Sequence, residues 1–319
     1  MDDETADLLA RSFERVFEGG SAADVEKALD EVGWREALEA EGAAVPPLLF
    51  ARQGAATAAS GALDDVLAVA LGVPAGPGTA VVLPEFGGHA APGSVRNGAL
   101  TVRGLGTVRM AAADAAVVVA EEDGVLRAFT VETGRLRIRR VKGVDPRLGL
   151  AAVEASDVSP AGAGAGVDWS GALAAGRSAL AYELIGASRT MLRLAREHAL
   201  TRVQFGRPIA SFQAVRHRLA ESLYAIECAD AAAGAAVQET DRALLAGIAK
   251  ALAGRNARTV ARHCQQVLAG VGFTEEHEFH HCLRRVLALD GLLGDARTLT
   301  RELGEELLRT RQMPAVPPL

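Results

Sequence analysis

Apolar positions along the chain follow two rhythms. Over residues 1–73 they recur at helical spacing. In SAADVEKALDEVGW, Ser21 is placed to cap a helix with Asp24 near its N3 position, and Leu29, Val32 and Trp34 supply an apolar face. PPLLFARQGAATAAS and LDDVLAVALG predict two further short helices, closing near Gly72. PAGPG then reads as a linker, and the texture changes. Short apolar runs follow: TAVVLP, ALTVRGLG, TVRMAAA, AAVVVAEEDG, VLRAFTVETG, RLRIRRV and LAAVEAS. Turn signals separate them, plainly at EDG (122–124) and ETG (132–134), which predicts a small antiparallel barrel or sandwich over 74–158. SPAGAGAGVDWSG is a flexible linker. Beyond it the helical period returns, with long helices expected over 168–200, 209–237, 239–269 and 275–310. Pro208 and Gly270-Val271-Gly272 mark two of the breaks, and RQMPAVPPL reads as a frayed tail. Long helices with short loops make a four-helix bundle, here a C-terminal domain over 165–319.

The expected fold class is therefore α+β, mainly α: a helical domain, a small β domain and a bundle. A chain of 319 residues with 49% hydrophobic content can bury several cores. Its net charge of −6 gives no reason to expect nucleic acid or an anionic membrane as partner. No apolar run approaches the ~20 residues of a membrane span. The acidic start MDDETADLLA lacks a signal pattern, and the scattered Cys228, Cys264 and Cys282 read as reduced thiols. The expected compartment is the cytoplasm. G-x-G-x-x-G, P-loop and G-x-S-x-G strings are all missing, which disfavours a Rossmann fold.

EEHEFHHCLRR contains H-E-x-x-H at His277–His281, the pattern of a zinc peptidase helix. A peptidase also needs a third ligand, and Glu302, Glu305 and Glu306 form no such motif. The expectation is a helix with exposed histidines and no catalytic metal.

TRVQFGRPIASFQAVRHRLAE, residues 201–221, carries more information. Arg202, Gln204, Phe205, Gly206, Ile209, Phe212, Gln213, His217, Leu219 and Ala220 reproduce an R-x-Q-F-G pattern followed by F-Q and an H-x-L-A helix. Downstream, Gln266, Gly270, Gly272, Phe273, Thr274 and Glu276 fit Q-x-x-G-G-x-G-F-T-x-E, with Ala269 in place of the first paired glycine. These stretches resemble the acyl-CoA dehydrogenases. VRMAAADAAVVVA, GRLRIRRVKGVDPRLGLAAVEASDV and LDEVGW resemble the family's other domains, so the resemblance covers nearly the whole chain.

The resemblance implies FAD and an acyl-CoA substrate. In the family a carboxylate removes the α proton of the thioester while hydride leaves the β carbon for the flavin. It implies that Arg202 reaches the FAD pyrophosphate of a neighbouring subunit, where a fork of donors suits phosphate. Phe205 would pack against the flavin or its linker, and Gln213 would hydrogen-bond to the cofactor. Gln266 and the Gly270 backbone would approach the adenine half.

Two departures stand out. Relatives place the base in a Y-E-G-T string, where this chain has Leu293, Gly294 and Asp295, or on the first bundle helix, near Gly176 and Arg177. Neither place holds a Glu; Glu183 and Asp295 are the carboxylates weighed for the role, and no catalytic residue is assigned. In the β domain, VRMAAAD stands where relatives carry an aromatic and a hydroxyl that wrap their own flavin. The chain thus resembles the smaller subunits of heteromeric bacterial acyl-CoA dehydrogenases, including steroid-type ones, in which a homologous partner supplies the base within a heterotetramer. An electron-transfer flavoprotein or similar acceptor is implied. A homo-oligomer with an unusually placed base, or a degenerate paralogue acting as a structural or regulatory partner, are the competing readings.

Overall fold

A computed structural model describes residues 2–18, 21–160, 162–238 and 242–311. Helices α1 (Asp3–Val16), α2 (Ala22–Glu31), α3 (Trp34–Glu41), α4 (Pro46–Ala56) and α5 (Ala62–Leu71) come first. The α2 cap is a reciprocal box: Ser21 Oγ accepts the Asp24 N–H at 3.3 Å, and the Asp24 carboxylate accepts the Ser21 N–H at 2.7 Å. Trp34 is fully buried between Phe13 and Phe50, both edge-on, and donates its indole N–H to Asp65 at 3.0 Å. Gly72, at φ +69°, closes α5 in the left-handed region that favours glycine.

The β domain is a sheet of eight strands: β1 (Thr79–Val81), β2 (Gly93–Arg96), β3 (Ala99–Gly106), β4 (Ala115–Glu122), β5 (Val125–Glu132), β6 (Arg137–Arg140), β7 (Ala151–Val158) and β8 (Ala165–Gly166). Its order is β6-β7-β3-β2-β4-β5-β8, and β1 lies parallel to β4. Two-residue loops at Asn97-Gly98 and Asp123-Gly124 have both residues at positive φ, the geometry that matches strand twist in a hairpin. Val82, Val95, Val102, Met110, Val118 and Phe129 are among the residues filling the core of this sheet.

Three expectations change here. TVRMAAA is not a strand: residues Val108–Ala111 form a 3-10 turn capped by Thr107, because Arg109 turns inward to ion pairs with Asp65 at 2.5 Å and Glu26 at 2.8 Å. GSVR, which is not among the apolar runs read as strands, is β2. The linker stretch holds β8, which pairs with β5.

The bundle consists of α6 (Trp169–Thr201), α7 (Gln213–Gln238), α8 (Arg242–Leu268), α9 (Phe279–Asp290) and α10 (Ala296–Thr310). A short hairpin, β9 (Val203–Gln204) with β10 (Arg207–Pro208), joins α6 to α7. The expected fourth helix is two helices, and it starts at Phe279 rather than 275. Leu293 and Gly294 break it with φ of +56° and +98°, and Asp295 then caps α10. Expectations for 239–241 and for the tail at 312–319 lie outside the described residues.

The helical domain docks closely on the bundle. Gly54 of α4 lies on the Glu183 carbonyl of α6, and Gly186 of α6 lies on the Ala51 carbonyl, so a side chain at either position would collide with backbone. Among the described residues no helix is long and apolar enough to cross a membrane.

Candidate functional site

The R-x-Q-F-G segment projects from the end of α6. Its tip has Phe205 at φ +52° and Gly206 at +74°, the paired positive values of a tight hairpin. The Arg202 carbonyl accepts the Ile209 N–H at 2.8 Å and closes the base of this finger. Residues 201–208 are all exposed, and Phe205 is 92% exposed. An aromatic ring held in water by an ordered turn has not found its burial within this chain. Phe212 packs edge-on to Phe205 at 6.0 Å, and the Arg207 guanidinium sits over the Phe212 ring at 4.4 Å, which stiffens the finger from one side.

Gln213 begins α7 beside the finger and is exposed. Gln266 and Gly270, at the C-terminal end of α8 and the turn after it, are exposed too. Burial and the positive charges of His277 and Arg202 together push the His198 imidazole below its ordinary pKa. His198 lies on the last turn of α6, so the glycine-turn segment and the finger share one end of the bundle. Ala269, where relatives carry glycine, takes φ +53°. His277 precedes α9 and accepts the Phe279 N–H at Nδ1 (3.1 Å), so His277 and His281 do not share a helix face. The expected helical H-E-x-x-H is corrected on that point.

The two places where relatives carry a base meet in space. Gly176 faces Leu293, and a Cβ at Gly176 would lie 2.5 Å from the Leu293 Cδ1. The neighbouring Arg177 donates Nε–H to the Leu293 carbonyl at 2.9 Å. Leu293 itself is 1% exposed. Lys250 of α8 is fully buried and donates to the carbonyls of Asp290 (3.0 Å) and Gly294 (3.4 Å). Burial pushes its ammonium down to about 8, although Asp290 opposes the shift. Arg258 grips Asp290 with two bonds of 2.9 and 2.7 Å. Cations therefore hold this turn from behind, and the β1–β2 loop closes it from in front. The Gly87 N–H donates to the Gly291 carbonyl at 2.7 Å, Phe86 lies on Gly291, and His89 bonds Glu302 at 2.8 Å. Beside the turn lies an open cleft of about 860 Å³, lined by Phe86, Arg258, Asp295 and Arg297 among others.

The two carboxylates weighed as a base are committed elsewhere. Glu183 is 1% exposed, with Oε1 on Arg285 at 3.1 Å and Oε2 on the Gln53 amide at 3.0 Å. Burial raises its pKa against the pull of Arg285. Arg285 also binds Asp145 at 2.7 Å and the Thr57 carbonyl at 2.8 Å, so this network ties all three domains. Asp295 accepts the Arg297 and Thr298 N–H groups at 2.9 Å each as helix cap. Partial burial opposes the shift, but the bonds from Thr298 and Arg297 hold its carboxyl below the ordinary value. A capped, acidified carboxylate and a saturated buried one are both poor bases for a weak carbon acid. In VRMAAAD, Met110 is buried in the sheet core, and the Thr107 hydroxyl is spent on Asp64 at 2.5 Å. Neither side chain is free to reach a cofactor.

Sequence reasoning did not single out Lys250, although a lone lysine inside GIAKALAG is the signature of a buried cation. Phe86 and His89 carried no signal, because their partners lie in the far half of the chain.

Residues 162–308 match the family described as acyl-CoA dehydrogenase, C-terminal domain. Among curated proteins, acyl-CoA dehydrogenase FadE34 of Mycobacterium tuberculosis is 40% identical over 121 residues, covering 36% of this chain and 17% of that protein. Acyl-CoA dehydrogenase IpdE2 of the same organism is 33% identical over 191 residues, covering 60% of this chain and 57% of that protein. The chain thus spans less than two thirds of either relative. Among solved structures, the ChsE4-ChsE5 complex of Mycobacterium tuberculosis superposes with a TM-score of 0.81 at 22% identity, covering 99% of each chain. Butyryl-CoA dehydrogenase of Megasphaera elsdenii gives 0.75 at 20% identity, covering 97% of this chain and 99% of that one. The likeness to these two structures is one of fold; what the family match assigns is residues 162–308, an acyl-CoA dehydrogenase C-terminal domain.

Proposed function

We propose that this chain is a subunit of an FAD-dependent acyl-CoA dehydrogenase, an oxidoreductase acting on CH–CH bonds, that pairs with a homologous chain carrying the catalytic base. The observation that carries the reading is the contrast between two ends of one bundle. The finger offers Arg202 and Phe205 to solvent, while both base positions are filled by Leu293 and Arg177 and closed by the Phe86 loop. The exposed finger suits an FAD held mainly by the partner. Arg202 would bind the pyrophosphate, Phe205 would exclude water from the flavin side, and Gln213, Gln266 and the Gly270 backbone would orient the rest. FAD bound there would supply the hydride acceptor. The buried Leu293 turn does not fit the same role for a flavin held by this chain alone.

The ChsE4-ChsE5 complex and the steroid acyl-CoA dehydrogenase Tcur3481-Tcur3483, whose TM-score is 0.82 at 20% identity, support the heteromeric arrangement and a steroid-type or fatty acyl thioester. A cytoplasmic heterotetramer passing electrons to an electron-transfer flavoprotein completes the reading. The test is expression alone and together with a homologue from an adjacent gene, with FAD counted per chain. About one FAD per pair, and little in the lone chain, is expected. One FAD per chain in the lone protein would overturn the shared site. The absence of a free carboxylate at either base position also favours a second reading, a non-catalytic structural partner, which predicts that Arg202→Ala leaves the pair's FAD content unchanged.

A further inference from the structure

Among the described residues β6 lies at one end of the sheet, paired only with β7. Val141 donates its N–H to the Leu150 carbonyl at 2.8 Å, and the register pairs Arg137 with Glu154 and Arg139 with Ala152. Odd-numbered residues therefore make the hydrogen bonds to β7, and the N–H and C=O groups of Ile138 and Arg140 point to the open side. The same short stretch, residues 133–144, holds Arg135, Arg137, Arg139, Arg140 and Lys142 and no acidic residue, on a chain whose net charge is −6. Alternation with apolar residues spreads these cations over both faces of the strand. Arg137 and Arg139 have side chains 71% and 55% exposed, and both lean on Glu154, at 3.9 and 3.0 Å. Among the described residues Glu154 is the one carboxylate in ion-pair range of the stripe.

We propose that the open edge of β6 is a docking site for an extended acidic segment of a protein partner, which adds to the sheet as a further strand. One or two like charges are enough to keep an edge from self-pairing. Five cations against one carboxylate go beyond that need and create a field that selects acidic strands. The unpaired main-chain groups choose a peptide over a phosphate polymer or a lipid surface, because only a peptide can complete the ladder. A strand with acidic residues at every second position would set them beside Arg137 and Arg139, where opposite charges facing each other across strands stabilise the pairing.

The experiment is fluorescence anisotropy on the full chain with a labelled alternating Glu/Val peptide, its Lys/Val counterpart, and a Glu/Val peptide N-methylated on the residues that would pair. Saturable binding of the Glu/Val peptide alone is expected, weakened about tenfold or more by the double change Arg137→Glu, Arg139→Glu. Arg140→Pro, which removes an outward N–H on an exposed residue, is expected to weaken it more than Arg140→Gln. Equal binding of the N-methylated peptide would overturn strand addition whether or not the proline variant folds. Binding of polyphosphate or phosphatidylglycerol vesicles in preference to the peptide, or no binding of the peptide, would overturn the proposal. None of these readouts involves the finger or FAD.

Discussion

The Arg177 guanidinium donates to the Leu293 carbonyl at 2.9 Å, and this one bond joins the two segments where the family resemblance leads one to expect a catalytic base. A glycine at 176 makes room for the Leu293 side chain, and Leu293 fills that room from a left-handed backbone. Restoring the expected acid is therefore predicted to fail. Leu293→Glu would place a carboxylate in a buried apolar pocket whose nearby cations, Arg177 and Lys250, donate to backbone carbonyls of the turn; of their buried nitrogens only Arg177 Nη2 is left without a partner among the described residues. A loss of about 2–4 kcal/mol in urea unfolding is expected, with no desaturation by the lone chain. A stable Leu293→Glu protein that oxidises acyl-CoA unaided would refute the filled-site reading.

Arg285 is predicted to be the most costly single residue to remove. Its side chain is fully buried and satisfies Glu183, Asp145 and the carbonyls of Thr57 and Ala58. Arg285→Ala would strand two buried carboxylates, at about 3–5 kcal/mol. Glu183→Gln keeps the side-chain shape and leaves Asp145 as counter-ion to Arg285, but its NH2 would face one of two donors, the Gln53 amide or Arg285, so a loss smaller than that of Arg285→Ala but not negligible is expected. Differential scanning calorimetry compares the two. If Glu183→Gln instead abolished turnover of an otherwise intact protein, Glu183 would be a base after all.

Local signals were legible and long-range ones were not. The Ser21–Asp24 box, the left-handed Gly72 cap and the Asp123-Gly124 hairpin depend on neighbours in sequence. Asn97-Gly98 was an equally good hairpin signal, but GSVR before it is too short and mixed to read as a strand. The apolar texture of TVRMAAA hid a turn that exists because Arg109 must reach Asp65, 44 residues away. The finger was readable because its motif is contiguous. The filling of the base turn was not, because Arg177, Lys250 and Phe86 reach it from three distant segments.

Lys250 gives a pH prediction. Its folded value, near 8, lies below the ordinary 10.5, so between those values the unfolded chain binds the extra proton. Stability contributed by this site therefore rises as pH increases from 8 to 10.5, when the native state no longer carries a buried charge. Cys264 and Cys282, whose thiols burial pushes up to about 12 and 11, bias the same window the other way. The comparison of wild type with Lys250→Met cancels them. Wild type should gain on the order of 2 kcal/mol relative to the variant between pH 7 and 10. Parallel pH profiles would show that the ammonium is not buried in this state.

The finger separates stability from cofactor binding. Arg202 and Phe205 are exposed, so Arg202→Ala and Phe205→Ala should shift unfolding free energy by no more than about 0.5 kcal/mol. In the co-expressed pair, FAD occupancy should fall, more for Arg202 because a charged phosphate contact is lost. Arg202→Lys should recover part of it, since a point charge replaces a fork. Flavin absorbance against protein concentration measures all three. Full occupancy in Arg202→Ala would leave the shared site without its main contact.

Ala269 adopts φ +53° at the turn beside Gln266 and Gly270, a conformation that costs an L-residue about 1–2 kcal/mol. Relatives place glycine there, which removes the clash of Cβ with the following carbonyl. Glycine also frees the unfolded chain, and that offsets up to about 1 kcal/mol of the relief. Ala269→Gly should therefore raise stability by about 0–1 kcal/mol, whereas Ala269→Val, branched at Cβ, should lower it by more than 1 kcal/mol. The order glycine, alanine, valine in urea midpoint is the readout. The same order should appear in FAD affinity of the assembled pair if the turn must present the Gly270 backbone to the cofactor. A valine variant as stable as the glycine one would mean that this turn does not hold the left-handed geometry in solution.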